Sequence, residues 1–129
     1  MIDNKSPKEQ TVESKLTELV DTIVAKYTDG DDLPKRLLDA MLNNAEIEAI
    51  QNYANNVSIT RIGLNDHGPV HMKTVCRNAL KMLSLLHEAG IETSLEKEHA
   101  GTFADSVCGV MLAAMLHDSG MTIARKDHE

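Results

Sequence analysis

Cysteine is scarce in this sequence: Cys76 and Cys108 are the only two, 32 positions apart and with no C-x-x-C pair. That excludes a dense disulfide framework and a cysteine-rich zinc knuckle, and it fits a reducing cytoplasm. Long apolar runs are absent too. The most apolar stretch, Ser106–Leu116, is eleven residues, well short of the roughly 18–20 that a spanning helix needs, so no membrane segment is expected. The opening residues Met1-Ile2-Asp3-Asn4-Lys5 lack the basic region and apolar stretch of a secretory signal. Basic residues are outnumbered: 13 Lys and Arg stand against 20 Asp and Glu, a formal charge of −7. Such a chain offers no counterion-releasing surface for the phosphate backbone, which speaks against general nucleic-acid binding.

What the chain does contain is enough apolar residue, 42% against 26% charged over 129 positions, to build one folded domain and not two. Its periodicity is helical almost throughout. Ser6-Pro7 followed by Glu9 reads as a helix start, and Val12, Leu16, Leu19, Val20, Ile23, Val24 and Tyr27 form one stripe that ends before Asp29-Gly30-Asp31-Asp32. A second helix is expected from Pro34 to Leu42, burying Leu37, Leu38, Met41 and Leu42. Asn43-Asn44 breaks it and can cap a third, with Ile47, Ile50, Tyr53, Ala54 and Val57 on one face. Val57–Ile62 has strand-like composition but no partner strand, and reads as an extended connector. The fourth helix starts near Asn65–Pro69 and runs to Glu88 with Gly90 as its stop; Val75, Ala79, Met82, Leu83 and Leu86 are expected to face inward. Residues 91–101 read as a polar connection. Thr102 and Asp105 resemble a capping box for a fifth helix through Leu116, apolar on nearly every side and therefore central to the bundle.

Six histidines, at 67, 71, 87, 99, 117 and 128, carry most of the chemical interest. His67 and His71 have the i, i+4 spacing that lets two side chains converge on a metal or a phosphate, although Pro69 at the first helical position would leave His67 outside the helix. His117-Asp118 emerges where the apolar fifth helix ends, at the negative end of its dipole, where a divalent cation is favoured. His87 and His99 read as a helix-end and a loop residue, and both cysteines as core thiols.

His71-Met-Lys-Thr-Val75-Cys-Arg-Asn-Ala79, followed 46 positions after His71 by Leu116-His117-Asp118-Ser119-Gly120-Met121, resembles the HD-domain superfamily of metal-dependent phosphohydrolases. Asn65–His71, together with Arg125-Lys126-Asp127-His128-Glu129, is similar to an archaeal branch of it. The resemblance covers residues 45–129 and implies an all-α bundle of about five helices: N-terminal helices in 1–44, then a partial HD core that lacks its last helices.

By the same resemblance His71, His117 and Asp118 bind a divalent transition metal (Mn, Fe, Co, Ni or Zn), a mixed imidazole and carboxylate set suited to such ions. His128 would serve a second ion in a binuclear site, His67 would orient water, and Asp118 and His67 would be the catalytic pair. Arg125 and Lys126 would hold the phosphate of a nucleotide-type small molecule. The family's further metal-binding Asp has no counterpart before Glu129, and Asp66, Asp105 and Asp127 are weak substitutes because capping already accounts for the first two. The alternative is therefore a noncatalytic binding or oligomerisation module with an incomplete site. On either reading an uncovered fifth helix implies a homo-oligomer.

Overall fold

In a computed structural model, residues 5–56 and 68–117 are described. All regular structure among them is helical: α1 (Pro7–Tyr27), α2 (Leu33–Leu42), α3 (Ala45–Asn56), α4 (Pro69–Glu88), α5 (Ser94–Lys97) and α6 (Phe103–Leu116). The expected connector Val57–Ile62 lies outside the described residues.

Local chemistry sets most of these boundaries. The Ser6 hydroxyl accepts from the Glu9 N–H at 3.1 Å with Pro7 in the first turn, and the Asn44 side chain accepts from the Ile47 N–H at 3.0 Å; both satisfy donors that a helix start leaves orphaned. Between α1 and α2 the chain reverses through Asp29 and Gly30, both at positive φ (52° and 86°). At the end of α4, Gly90 (φ 81°) lets the Ile91 N–H reach back to the Leu86 carbonyl at 3.0 Å, a Schellman closure. Thr102 and Asp105 form a complete capping box on α6, as their spacing predicts.

One core runs through α1, α2, α4 and α6. Leu16, Val20 and Ile23 of α1, Leu38 and Met41 of α2, Met72, Cys76 and Leu80 of α4, and Phe103, Val107, Met111 and Met115 of α6 form a single buried cluster. The orientation follows from end-to-end contacts. Lys73 near the start of α4 meets Glu9 and Glu13 near the start of α1, while Tyr27 at the end of α1 meets His87 and Glu88 at the end of α4, so α1 and α4 run parallel. His87 stacks on Phe103, the first residue of α6, at 4.0 Å, and His71 meets His117 just past its last; α4 and α6 are antiparallel.

Three expectations need correction. Residues 91–101 contain a short helix, α5, because Thr93 and Glu96 close a capping box of their own. In α3, Ile47 is partly buried against the core as expected, but Ile50 and Tyr53 are 36% and 47% exposed, and among the described side chains of this helix the buried one is Gln51. In α4 the expected inward stripe holds only in part: Val75 and Leu83 are partly buried against the core, but Met82 and Leu86 are 65% and 46% exposed, and the fully buried row is Met72, Lys73, Cys76, Leu80 and Ser84. Both rows repeat at helical spacing, and α1 takes the one that includes Lys73 because it brings two carboxylates to that ammonium.

Candidate metal centre

The start of α4 is fixed before any metal chemistry enters. Gly68-Pro69 opens the helix, with the Gly68 carbonyl accepting from the Met72 N–H at 3.0 Å, so His71 sits in its first turn. The two residues after it are anchored. Met72 is 1% exposed in the core. Lys73, 4% exposed, donates to Glu9 Oε2 at 2.6 Å and Glu13 Oε2 at 3.0 Å, and Lys5 reaches the same Glu13 carboxylate at 2.7 Å. Such charge-assisted bonds are among the stronger ones available to a side chain, and here they tie the first turn of α4 to the first turns of α1. Burial pushes the Glu13 pKa up, but the bonds and charges of Lys5 and Lys73 more than offset this and hold it below the ordinary value.

The end of α6 is held just as specifically. Met111, Ala114 and Met115 are buried, and the buried Gln51 amide of α3 donates to the Met115 carbonyl at 3.0 Å, satisfying one of the acceptors that a helix C-terminus leaves open. Thus α3 and α6 are joined one turn from the histidine.

His71 and His117, 46 positions apart in sequence, come together at this end of the bundle. Their ring centroids are 5.6 Å apart and the planes cross at 61°. His117 Nδ1 lies 2.7 Å from the Ala114 carbonyl. A carbonyl can only accept, so Nδ1 carries the proton and the lone pair of the neutral ring is on Nε2, the arrangement in which a backbone partner orients a metal-ligating imidazole.

Two imidazoles bound to one ion at about 2.1 Å and a roughly tetrahedral angle hold their centroids about 5.3 Å apart, close to the 5.6 Å between these rings. It supplies two donors. Among the described residues no group of three His, Cys, Asp or Glu is assembled. His67, Asp118, Arg125, Lys126 and His128 lie outside the described residues, as do Asp66 and Asp127. Asp105 is engaged in the α6 capping box.

The other described histidines are elsewhere. His87 is sandwiched against Phe103 and Tyr27 at the opposite end of α4, and His99 occupies a loop at φ 55°. Both border an open cavity of about 780 Å³ with Asp29, Asp31, Glu92 and Glu96. Its carboxylates include two with local work: Asp31 accepts from the Leu33 N–H at 3.0 Å and Glu96 from Thr93. The cysteines behave as core thiols, with burial pushing Cys76 up to about 12 and raising Cys108 as well.

Sequence reasoning missed the two positioning residues, Gln51 and Lys73. Lys73 had a signal: it interrupts the apolar row Met72-Cys76-Leu80, and a cation in a buried row requires a carboxylate from another helix. Gln51 had none, since its acceptor is a backbone carbonyl 64 positions away.

No known family profile matches the chain, and no solved structure matches it. An uncharacterized protein of the archaeon Methanocaldococcus jannaschii is 38% identical over 96 residues, which is 74% of this chain and 37% of that protein. The chain thus spans little more than a third of the curated relative it matches. Among the described residues no helix is long and apolar enough to cross a membrane.

Proposed function

We propose that the chain is a metal-dependent phosphohydrolase of the HD superfamily, acting in the cytoplasm on a phosphate ester of nucleotide type and assembling with copies of itself. The observation that carries this reading is the 5.6 Å approach of His71, at the start of α4, and His117, at the end of α6, with Asp118 the next residue in the chain. A divalent transition metal, one ion or two, would supply Lewis acidity toward a phosphoryl oxygen and make water a nucleophile near neutral pH.

The chain's own residues do the rest. His71 and His117 present imidazole nitrogens on a helix start and a helix end, each fixed by buried neighbours. The Ala114 carbonyl holds the His117 ring in one tautomer. Asp118 would add a hard oxygen ligand and His128 would serve a second ion. His67, four residues before His71, positions water, and Arg125 and Lys126 pair with the phosphate of the substrate.

The test is turnover. Phosphomonoesters and phosphodiesters of nucleotide type should be hydrolysed only with added Mn²⁺ or Ni²⁺, and His117→Ala and Asp118→Ala should each abolish the reaction while leaving the helical spectrum intact. Turnover that survives both substitutions contradicts the proposal. The alternative, a noncatalytic binding or oligomerisation module, predicts no hydrolysis with any metal.

A further inference from the structure

In a chain of net charge −7 a cation has many carboxylates to choose from, and Lys5, Lys35, Arg36 and Lys73 each meet one within 3.4 Å. Lys15, Arg77 and Lys81 do not. Among the described residues none of the three forms an ion pair or a side-chain hydrogen bond, yet all three line one groove between α1 and α4, about 330 Å³, together with Glu18, Leu19 and Thr22. Arg77 and Lys81 are four apart on α4, and Lys15, Leu19 and Thr22 follow the same helical spacing on α1, so each helix contributes one face. The flanking carboxylates of α1 are engaged elsewhere: Glu13 by Lys5 and Lys73, Asp21 by Lys35 at 3.4 Å. Glu18 lines the groove but pairs with none of its cations.

Arg77 carries an independent observation. Its Nε is buried without a hydrogen-bond partner, although the residue as a whole is only half-buried. A guanidinium N–H shut away from water and given no acceptor is costly, and no group among the described residues offers it one. An acceptor arriving from outside does. The planar fork of arginine pairs best with two oxygens of one oxyanion; a small turn of the guanidinium into the groove would present Nε–H and a terminal N–H side by side.

We propose that the groove between α1 and α4 binds a phosphate group, with Arg77 as its two-pronged donor and Lys15 and Lys81 as point charges from either helix. Three cations against the carboxylate of Glu18 leave two positive charges, which matches the charge of roughly −2 on a phosphate group near neutral pH and exceeds that of a single carboxylate. A nucleic-acid backbone is a poor occupant, because the acidic remainder of the chain repels a long polyanion. The site is separate from the candidate metal centre. Arg77 lies six residues beyond His71, about 9 Å along the helix axis, and borders α1, whereas His71 meets the end of α6. A phosphate held in the groove is therefore not the one that the metal-centre residues would cleave, and the inference stands independently of the hydrolytic reading.

The test is an NMR titration of the full chain at constant ionic strength, with a chelator present so that no metal-held phosphate contributes. It follows the side-chain Nε–H of Arg77 and the backbone amides around it as inorganic phosphate, a nucleoside monophosphate or acetate is added. Inorganic phosphate should give a saturable shift with Kd on the order of 1 mM, and acetate should bind at least ~10-fold more weakly. Tighter binding of the monophosphate identifies an organic phosphate as the occupant; equal binding identifies the free ion. The exposed pair Lys15→Gln/Lys81→Gln should keep the helical spectrum and weaken phosphate at least ~10-fold. Arg77→Lys, which keeps the charge but loses the fork, should weaken it as well, whereas His117→Ala should leave it unchanged. No saturable shift with either phosphate overturns the proposal, as does acetate binding equally well. Binding indifferent to Lys15→Gln/Lys81→Gln, or abolished by His117→Ala, also overturns it, because the ion would then be held elsewhere.

Discussion

Replacing Lys73 by methionine tests how the start of α4 is held. The ammonium is 4% exposed and donates at 2.6 Å to Glu9 and 3.0 Å to Glu13. Lys73→Met keeps the volume and removes both bonds, leaving the Glu9 carboxylate, in a residue only 8% exposed, without its cation. Breaking one partner of a buried pair costs about 3–5 kcal/mol because the other charge is stranded. For a domain of this size that is a fall of roughly 10–20 °C in Tm at neutral pH. The loss is pH-dependent with a definite sign. Glu13 is held below its ordinary value of 4.5, and a carboxylate with a depressed folded pKa contributes stability that is full above the unfolded value and disappears as pH falls through the folded one. The gap between native protein and Lys73→Met should therefore be widest at neutral pH and narrow steadily below 4.5. Urea unfolding followed by circular dichroism across that range measures it. The double variant Glu9→Leu/Lys73→Met should recover most of the loss, because an apolar pair needs no desolvation of charge. A cost under about 1 kcal/mol, or a gap independent of pH, would refute the idea that this cluster fixes α4.

Met111, 0% exposed at the centre of the core, should cost about 2–5 kcal/mol on truncation to alanine through lost burial and a residual cavity, read from the shift in urea midpoint at constant slope. Thr102→Ala removes the hydroxyl that accepts from the Asp105 N–H at 3.2 Å and should cost about 1 kcal/mol, most of it recovered by Thr102→Ser. Cys76, pushed up to about 12 by burial, should react with thiol reagents at pH 8 far more slowly than the unfolded chain does; equal rates in native and denatured protein would show that its side chain is accessible.

The legibility of this fold in its sequence varied with the range of the interaction. Ser6-Pro7, Asn44 and the Thr102 capping box are visible because a cap is a contract between residues two or three apart. The phase of α4 is not. Met72-Cys76-Leu80 and Val75-Ala79-Met82-Leu86 are both apolar rows at helical spacing, and only the docking of Lys73 onto α1 decides which is buried. The same ambiguity made the exposed Met82 and Leu86 look like core. Gln51 was hidden for a different reason: the backbone carbonyl it satisfies exists only once α6 has ended beside α3. The approach of His71 to His117 is what the resemblance to the HD superfamily implies; periodicity alone does not show it, and the two rings do meet at one end of the bundle. The carboxylate and the basic residues assigned beside them lie outside the described residues.

The central claim is that His71, His117 and Asp118 hold one metal ion. Equilibrium dialysis against Mn²⁺, Ni²⁺ and Zn²⁺, with metal counted per chain, tests it most directly on the native protein and on His71→Ala, His117→Ala, Asp118→Ala and, as a control from the far end of α4, His87→Ala. The account predicts stoichiometric metal in the native protein and in His87→Ala, and a loss of at least ~10-fold in affinity for each of the other three. Metal retained equally by His71→Ala and His117→Ala, or no metal bound by the native chain, would contradict it.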